Sequence, residues 1–139
     1  MVTKIYLAQR LYEELIQFAQ LEAPRECCGL LGGVGQEMKT LYPLQNVAQH
    51  PETNYNAAPT DLFTVTKRIR QRGESLLAIF HSHPRSPAWP SATDIELAYY
   101  PDAFYLIIAL TPQPALRGFR IRNQQVTEIE IVITTDNLG

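Results

Sequence analysis

Two histidines two residues apart, His81 and His83 in His81-Ser82-His83-Pro84, are the residues of this chain best suited to chemistry. They follow Ser75 to Phe80, an apolar stretch that reads as a buried strand. Side chains alternate along a strand with period two, so both imidazoles project to one side and can bind one metal ion. The next stretch, Pro84 to Pro90, holds three prolines and reads as an extended, stiff loop. Ser91 then opens a helix with Asp94 in its first turn, from where the carboxylate can return toward the strand end. Two imidazoles and one carboxylate give three protein ligands and leave a fourth tetrahedral position open, the pattern of a catalytic zinc site rather than a closed structural one. Ser91 and Asp94 alone also spell S-x-x-D, an adequate helix capping box with no catalytic meaning.

The elements that must position these residues can be read from periodicity. Residues 2–7 alternate weakly, as a short strand does. Leu11, Leu15, Phe18 and Ala19 fall at the spacing of one buried helix face. That helix should stop before Pro24, because the residue ahead of a proline is pushed out of helical geometry. Cys27 to Leu31 reads as a buried strand and Met38 to Leu44 as its partner. Residues 45–59 are polar and bounded by prolines, with a short strand possible around Tyr55. Thr60 is placed to cap a second helix, with Asp61 in its first turn, an inner face of Leu62, Val65 and Ile69, and a stop at Gly73. Lys67, Arg68, Arg70 and Arg72 read as its solvated face. Phe104 to Leu110 reads as a central strand.

The tail reads as a hairpin in which a three-residue connection, Asn123 to Gln125, sets Arg120 opposite Glu128 and Phe119 opposite Ile129. A two-residue turn would mix the two faces. No repeat or linker interrupts the order β-α-β-β-(β)-α-β-α-β-β-β. The expectation is an α/β fold, a single mixed β-sheet covered by helices, in one domain over residues 1–139.

Composition narrows the function. A chain of 139 residues fits one domain, and fourteen acids against twelve bases give a formal charge of -2. Such a balance has no electrostatic bias toward nucleic acid or anionic lipid, so no nucleic-acid or membrane partner is expected. No apolar run approaches the ~20 residues that cross a bilayer. The first residues lack a basic head followed by an apolar stretch, so export is not expected. The only cysteines, Cys27 and Cys28, are adjacent and cannot staple distant segments. A reducing, cytoplasmic location follows as the default. Both cysteines are expected to pack in the core.

The segment from His81 to Asp94 resembles the signature of the JAMM (MPN+) metalloprotease family, an upstream glutamate followed by H-S/T-H-P-x6-S-x2-D. Ser82, Pro84, Ser91 and Asp94 all stand in place. Pro24-Arg25-Glu26-Cys27-Cys28-Gly29-Leu30-Leu31-Gly32 resembles the family's glutamate strand, which makes Glu26 the matching position. The likeness runs over the first helix, the glutamate strand, the Asn46 loop, the second helix and the metal segment, and the length is that of the compact prokaryotic members. It implies an MPN-domain, cytidine-deaminase-like architecture. It implies one zinc ion bound by His81, His83 and Asp94, with Glu26 as base and then acid, and Ser91 donating to the developing oxyanion. It further implies a peptidase or isopeptidase whose partner is the tail of a ubiquitin-like sulfur-carrier protein, bound in a groove with an exposed strand edge. Two other readings compete: a catalytically silent MPN scaffold, and a zinc amidohydrolase acting on a small molecule. All five key residues are retained, against the first. The deaminase signature H-x-E…P-C-x-x-C is absent, against the second.

Overall fold

Fourteen residues, Gln9–Glu22, form helix α1, which buries Leu11, Leu15 and Ala19. It follows β1 (Lys4–Ala8) and leads to β2 (Cys28–Val34), β3 (Glu37–Leu44), α2 (Pro59–Gln71), β4 (Ser75–His83), α3 (Ala92–Glu96), β5 (Phe104–Ala109), β6 (Ala115–Arg122) and β7 (Gln125–Thr134). This computed structural model describes residues 3–135; Val2, expected to open the first strand, lies outside them. The strand order is β1-β3-β2-β4-β5-β6-β7. β4 and β5 run parallel at the centre, β2 and β6 flank them antiparallel, and β1 pairs in parallel with both β7 and β3. The expected mixed sheet is therefore present, and it closes into a barrel.

Alternation along the strands sends apolar residues to both faces. Leu31, Ala78, Phe80, Leu106 and Ile108 join Ile5, Leu7 and the buried face of α1 in one cluster. Leu30, Ile79, Tyr105 and Ile107 join Val65 and Ile69 of α2 in another. Parity thereby decides where the histidines go. Ile79 faces the second cluster, so His81 and His83 emerge on the α2 side, and Ser82 turns the other way. Gly29 is required in β2, because a Cβ there would meet the Phe80 ring and, at 2.6 Å, the Tyr42 carbonyl oxygen.

Three expectations are corrected. α2 begins two residues early, at Pro59, and Thr60 does not cap it: Ala58 holds the N-cap position with no side-chain hydrogen bond. Proline's fixed φ starts the helix there, and Asp61 accepts from the Gln45 amide instead, at 3.1 Å. Around Tyr55 there is no strand, only a bridge between Asn46 and Ala57. The tail hairpin turns on two residues, with Arg122 opposite Gln125, Arg120 opposite Thr127 and Phe119 opposite Glu128. Asn123 and Gln124 both have positive φ, 52° and 64°, a turn whose twist matches that of paired strands. The mixed faces are tolerated for local reasons. Ile129 packs over Gly118, which has no side chain in the way. Arg117 covers Phe119, 5.8 Å from its ring centroid, and binds Glu128 through two hydrogen bonds of 2.6 and 2.8 Å.

Candidate metal centre

His81 and His83 end β4, and α3 starts across from them. Ser91 caps that helix: its Oγ accepts from the Asp94 amide at 3.0 Å, and its own amide donates to Asp94 Oδ2 at 2.9 Å. The capping box is thus present and does more than end the loop, because it aims the Asp94 carboxylate. The same Oδ2 lies 3.1 Å from His81 Nε2 and 3.1 Å from His83 Nε2, and the two nitrogens are 3.1 Å apart. Three donor atoms therefore form an equilateral triangle.

The donor chemistry fits a cation. His83 Nδ1 donates to the Pro87 carbonyl at 2.8 Å, which leaves its Nε2 as a bare lone pair unless the ring is charged. His81 Nε2, whose proton depends on the tautomer of the ring, and a carboxylate oxygen face it at the same distance. Such a triangle is electrostatically sound when a positive centre lies against it. A tetrahedral zinc site with bonds of about 2.0–2.1 Å spaces its donors about 3.3–3.4 Å apart, close to the spacing here. Among the described residues, this is the one group of His, Cys, Asp and Glu donors close enough together to hold a metal ion.

The charges respond to this crowding. Burial pushes the Asp94 carboxyl up, but hydrogen bonds from His81 and His83 outweigh it and hold the group well below the usual carboxylate range. Burial drives His81 down, toward the neutral form. His83 is raised, because its bonds to Asp94 and Pro87 overcome its own burial.

Glu26 is 5% exposed, directly ahead of β2. Burial pushes its carboxyl up to about 7, with the Asp94 charge adding and His83 opposing. Its Oε1 is one of three buried side-chain polar atoms without a partner among the described residues, and His81 Nδ1 is another. Asn46, 3% exposed, ties this stretch to the loop that follows β3. Its Nδ2 donates to the carbonyls of Glu26 and Asn54 at 2.9 and 3.0 Å, and its Oδ1 accepts from the amides of Ala48 and Asn56. The Glu26 amide donates to Pro51 O at 2.7 Å. The loop also carries Tyr55, whose ring stacks on His81 with centroids 4.3 Å apart.

Two separate cavities reach the site. One, of about 220 Å³, is lined by Glu26, His83, Ser91, Glu52, Thr53 and Arg85 among others. The second, of about 250 Å³, reaches Asp94 and Thr93 and is walled largely by apolar and aromatic side chains, including Leu62, Leu76, Ile79, Tyr55 and Tyr105.

The structure thus brings His81, His83 and Asp94 into contact and sets Glu26 and Ser91 on one cavity with His83. Glu22 and Glu96 end α1 and α3. Asp102 is exposed and faces Arg122 at 3.7 Å. His50 is exposed. Cys27 and Cys28 are buried thiols pushed up to about 12 by burial, so neither is a nucleophile. Trp89 packs the proline loop edge-on against Phe119 at 5.0 Å. Sequence reasoning missed the holding roles of Asn46 and Tyr55. The family likeness took in the Asn46 loop without giving the residue a role, and Tyr55 was marked only as an aromatic in an otherwise polar, proline-bounded segment.

A sheet whose central strand ends in two histidines, met by the capped carboxylate of the next helix, defines an α/β domain with a three-donor group that could hold one metal ion. The family described as prokaryotic homologs of the JAB domain matches residues 8–122. The chain belongs to that family. It is 43% identical over 94 residues to a probable TtuB-protein conjugate cleaving protease of Thermus thermophilus, a match that spans 68% of this chain and 63% of that relative's length. It is 35% identical over 114 residues to a desampylase of Haloferax volcanii, 81% of each chain, and 32% identical over 123 residues to a CysO-cysteine peptidase of Mycobacterium tuberculosis, 85% of this chain and 83% of that one. Among solved structures, a Desulfitobacterium hafniense protein matches with a TM-score of 0.86 at 37% identity, over 96% of this chain and 95% of its own. A JAB1/MPN domain protein from Archaeoglobus fulgidus shares the fold, with a TM-score of 0.63 at 18% identity over 94% of this chain and 99% of its own.

Proposed function

We propose that this chain is a zinc-dependent peptidase that hydrolyses an amide or isopeptide bond at the carboxyl-terminal tail of a ubiquitin-like sulfur-carrier protein. The observation that carries the reading is the 3.1 Å triangle of His81 Nε2, His83 Nε2 and Asp94 Oδ2, with the buried, unpartnered Glu26 Oε1 on the same cavity as His83. The three relatives named for carrier conjugates support the substrate class. His81, His83 and Asp94 would hold one zinc ion, which when bound lowers the pKa of water toward ~7 and polarises a carbonyl.

The rest of the work falls to the chain. Glu26, with a carboxyl balanced near neutrality, takes a proton from the attacking water and returns it to the leaving nitrogen. Ser91 Oγ spends a lone pair on the Asp94 amide, which leaves its hydroxyl proton free to meet the developing oxyanion. The capping box and Pro87 hold Asp94 and His83 in place. Because Glu26 and Ser91 line the polar cavity, the leaving group enters there, and the apolar cavity beside Asp94 takes the carrier's tail.

No helix among the described residues is long and apolar enough to cross a membrane; a cytoplasmic site of action and a single domain over residues 1–139 complete the proposal. The test is incubation of the purified chain with carrier conjugates, with zinc and with a chelator, read by mass spectrometry. Zinc-dependent release of the carrier with a free terminal glycine is expected. Conjugates that stay intact with zinc present would sink the reading.

A further inference from the structure

We infer that Arg85 binds the free α-carboxylate of the leaving amino acid, so that the enzyme favours carriers capped through an ordinary peptide bond over carriers joined to a lysine side chain. The inference rests on the peptidase reading above and decides a matter the relatives leave divided. One is named for a protein conjugate, another for a cysteine.

Arg85 is exposed, follows His83 by two residues, and lines the polar cavity with Glu26, His83 and Ser91. Most arginines near the site or the β6–β7 hairpin are spent on internal contacts. Arg25 donates to Asn46 O, Arg117 is held by Glu128, and Arg120 and Arg122 donate to Pro101 O. Arg85 has no hydrogen bond or ion pair within the described residues, although Glu52 lines the same cavity. A guanidinium is a planar, permanently charged fork that matches a carboxylate through two parallel hydrogen bonds. Thr53 and Ser86 line the cavity beside it and offer hydroxyl donors.

Hydrolysis fixes what must lie nearby. The C–N bond breaks, the water's hydroxyl stays on the carrier's glycine as its new carboxyl group, and the water's proton reaches the leaving nitrogen through Glu26. In a peptide bond that nitrogen is an α-nitrogen, and its residue's carboxylate is two bonds away, within the same cavity. In a lysine isopeptide the nitrogen ends a four-carbon stem and the residue's carboxyl group is tied up in the protein backbone. A free guanidinium beside the leaving-group cavity therefore stabilises the first kind of substrate and gains nothing from the second. Glu52, on the same cavity, supplies a negative charge for the ammonium group that appears once the bond is cut.

The test gives the zinc-loaded full chain one carrier in three forms: joined to alanine with a free carboxylate, to alaninamide, and to the side chain of a peptide lysine. The free-carboxylate form should have a kcat/KM about tenfold to a hundredfold above the other two. Arg85→Gln should collapse that ratio toward one by raising KM, and Arg85→Lys should restore part of it. A ratio near one in the wild type, or one that survives Arg85→Gln, overturns the inference and leaves the peptidase reading intact. If no form is cleaved with zinc, the peptidase reading falls, and binding decides the role of Arg85. N-acetylalanine binding more tightly than N-acetylalaninamide, with the difference lost in Arg85→Gln, supports it; equal binding, or a difference that persists, overturns it.

Discussion

The Tyr55 ring lies against the His81 imidazole, 23° from parallel. His83 is oriented by a hydrogen bond from Nδ1 to Pro87, whereas His81 Nδ1 has no partner among the described residues, so the stacked ring takes over that duty. Tyr55→Leu should weaken zinc binding by about tenfold, the lower range for loss of an orienting neighbour. Tyr55→Phe keeps the ring and should bind like the wild type. Competition against a chelating dye reads both, and equal affinity for all three proteins would remove the stacking role.

Glu26→Gln should lower the cleavage rate by about 10²–10⁴ while the protein keeps its metal. Metal content and single-turnover rate on the same preparation separate these effects. A variant that cleaves at the wild-type rate would place the proton transfer elsewhere.

Stability of the metal-free chain should show the same residue with a definite sign. The Glu26 carboxyl rises from 4.5 in the unfolded chain to about 7 in the fold. Between those values the folded state holds the proton more tightly, so stability falls as pH rises through this window. Glu26→Gln removes the ionisation and should stabilise the metal-free protein at pH 8 by about 1–2 kcal/mol, with the gain shrinking toward pH 5. Urea unfolding at the two pH values checks it.

Asn46→Ala should cost about 2–3 kcal/mol, because it strands the buried carbonyl of Glu26 and frees two loop amides at once. Hydrogen exchange should speed up at the Ala48 and Asn56 amides. If those amides stay protected, another contact holds the loop.

Gln124→Gly should stabilise the fold by about 0.5–1 kcal/mol, since glycine adopts the positive φ of 64° without the Cβ penalty. A three-residue connection would give no such gain. The shift in thermal midpoint distinguishes the two.

Local patterns in the chain determined a good deal. Period-two alternation put His81 and His83 on one side, the proline at 24 ended α1, and S-x-x-D announced the start of α3. These are rules of neighbouring residues, and neighbours are what a sequence displays. The motif around Glu26 marked its position through family likeness, not through any local signal of burial. Tertiary structure alone decided the rest. The barrel closes because β1 reaches β7 and β3, partners more than a hundred residues and about thirty residues away. Tyr55 meets His81 and Asn46 meets Glu26 only because a loop with no regular pattern folds back over β4 and the start of β2. The hairpin register turned on Gly118 making room for Ile129 and Arg117 shielding Phe119, contacts between side chains whose energies no alternation pattern encodes. Spacing along a chain specifies direction, whereas distance across a fold depends on how every element packs.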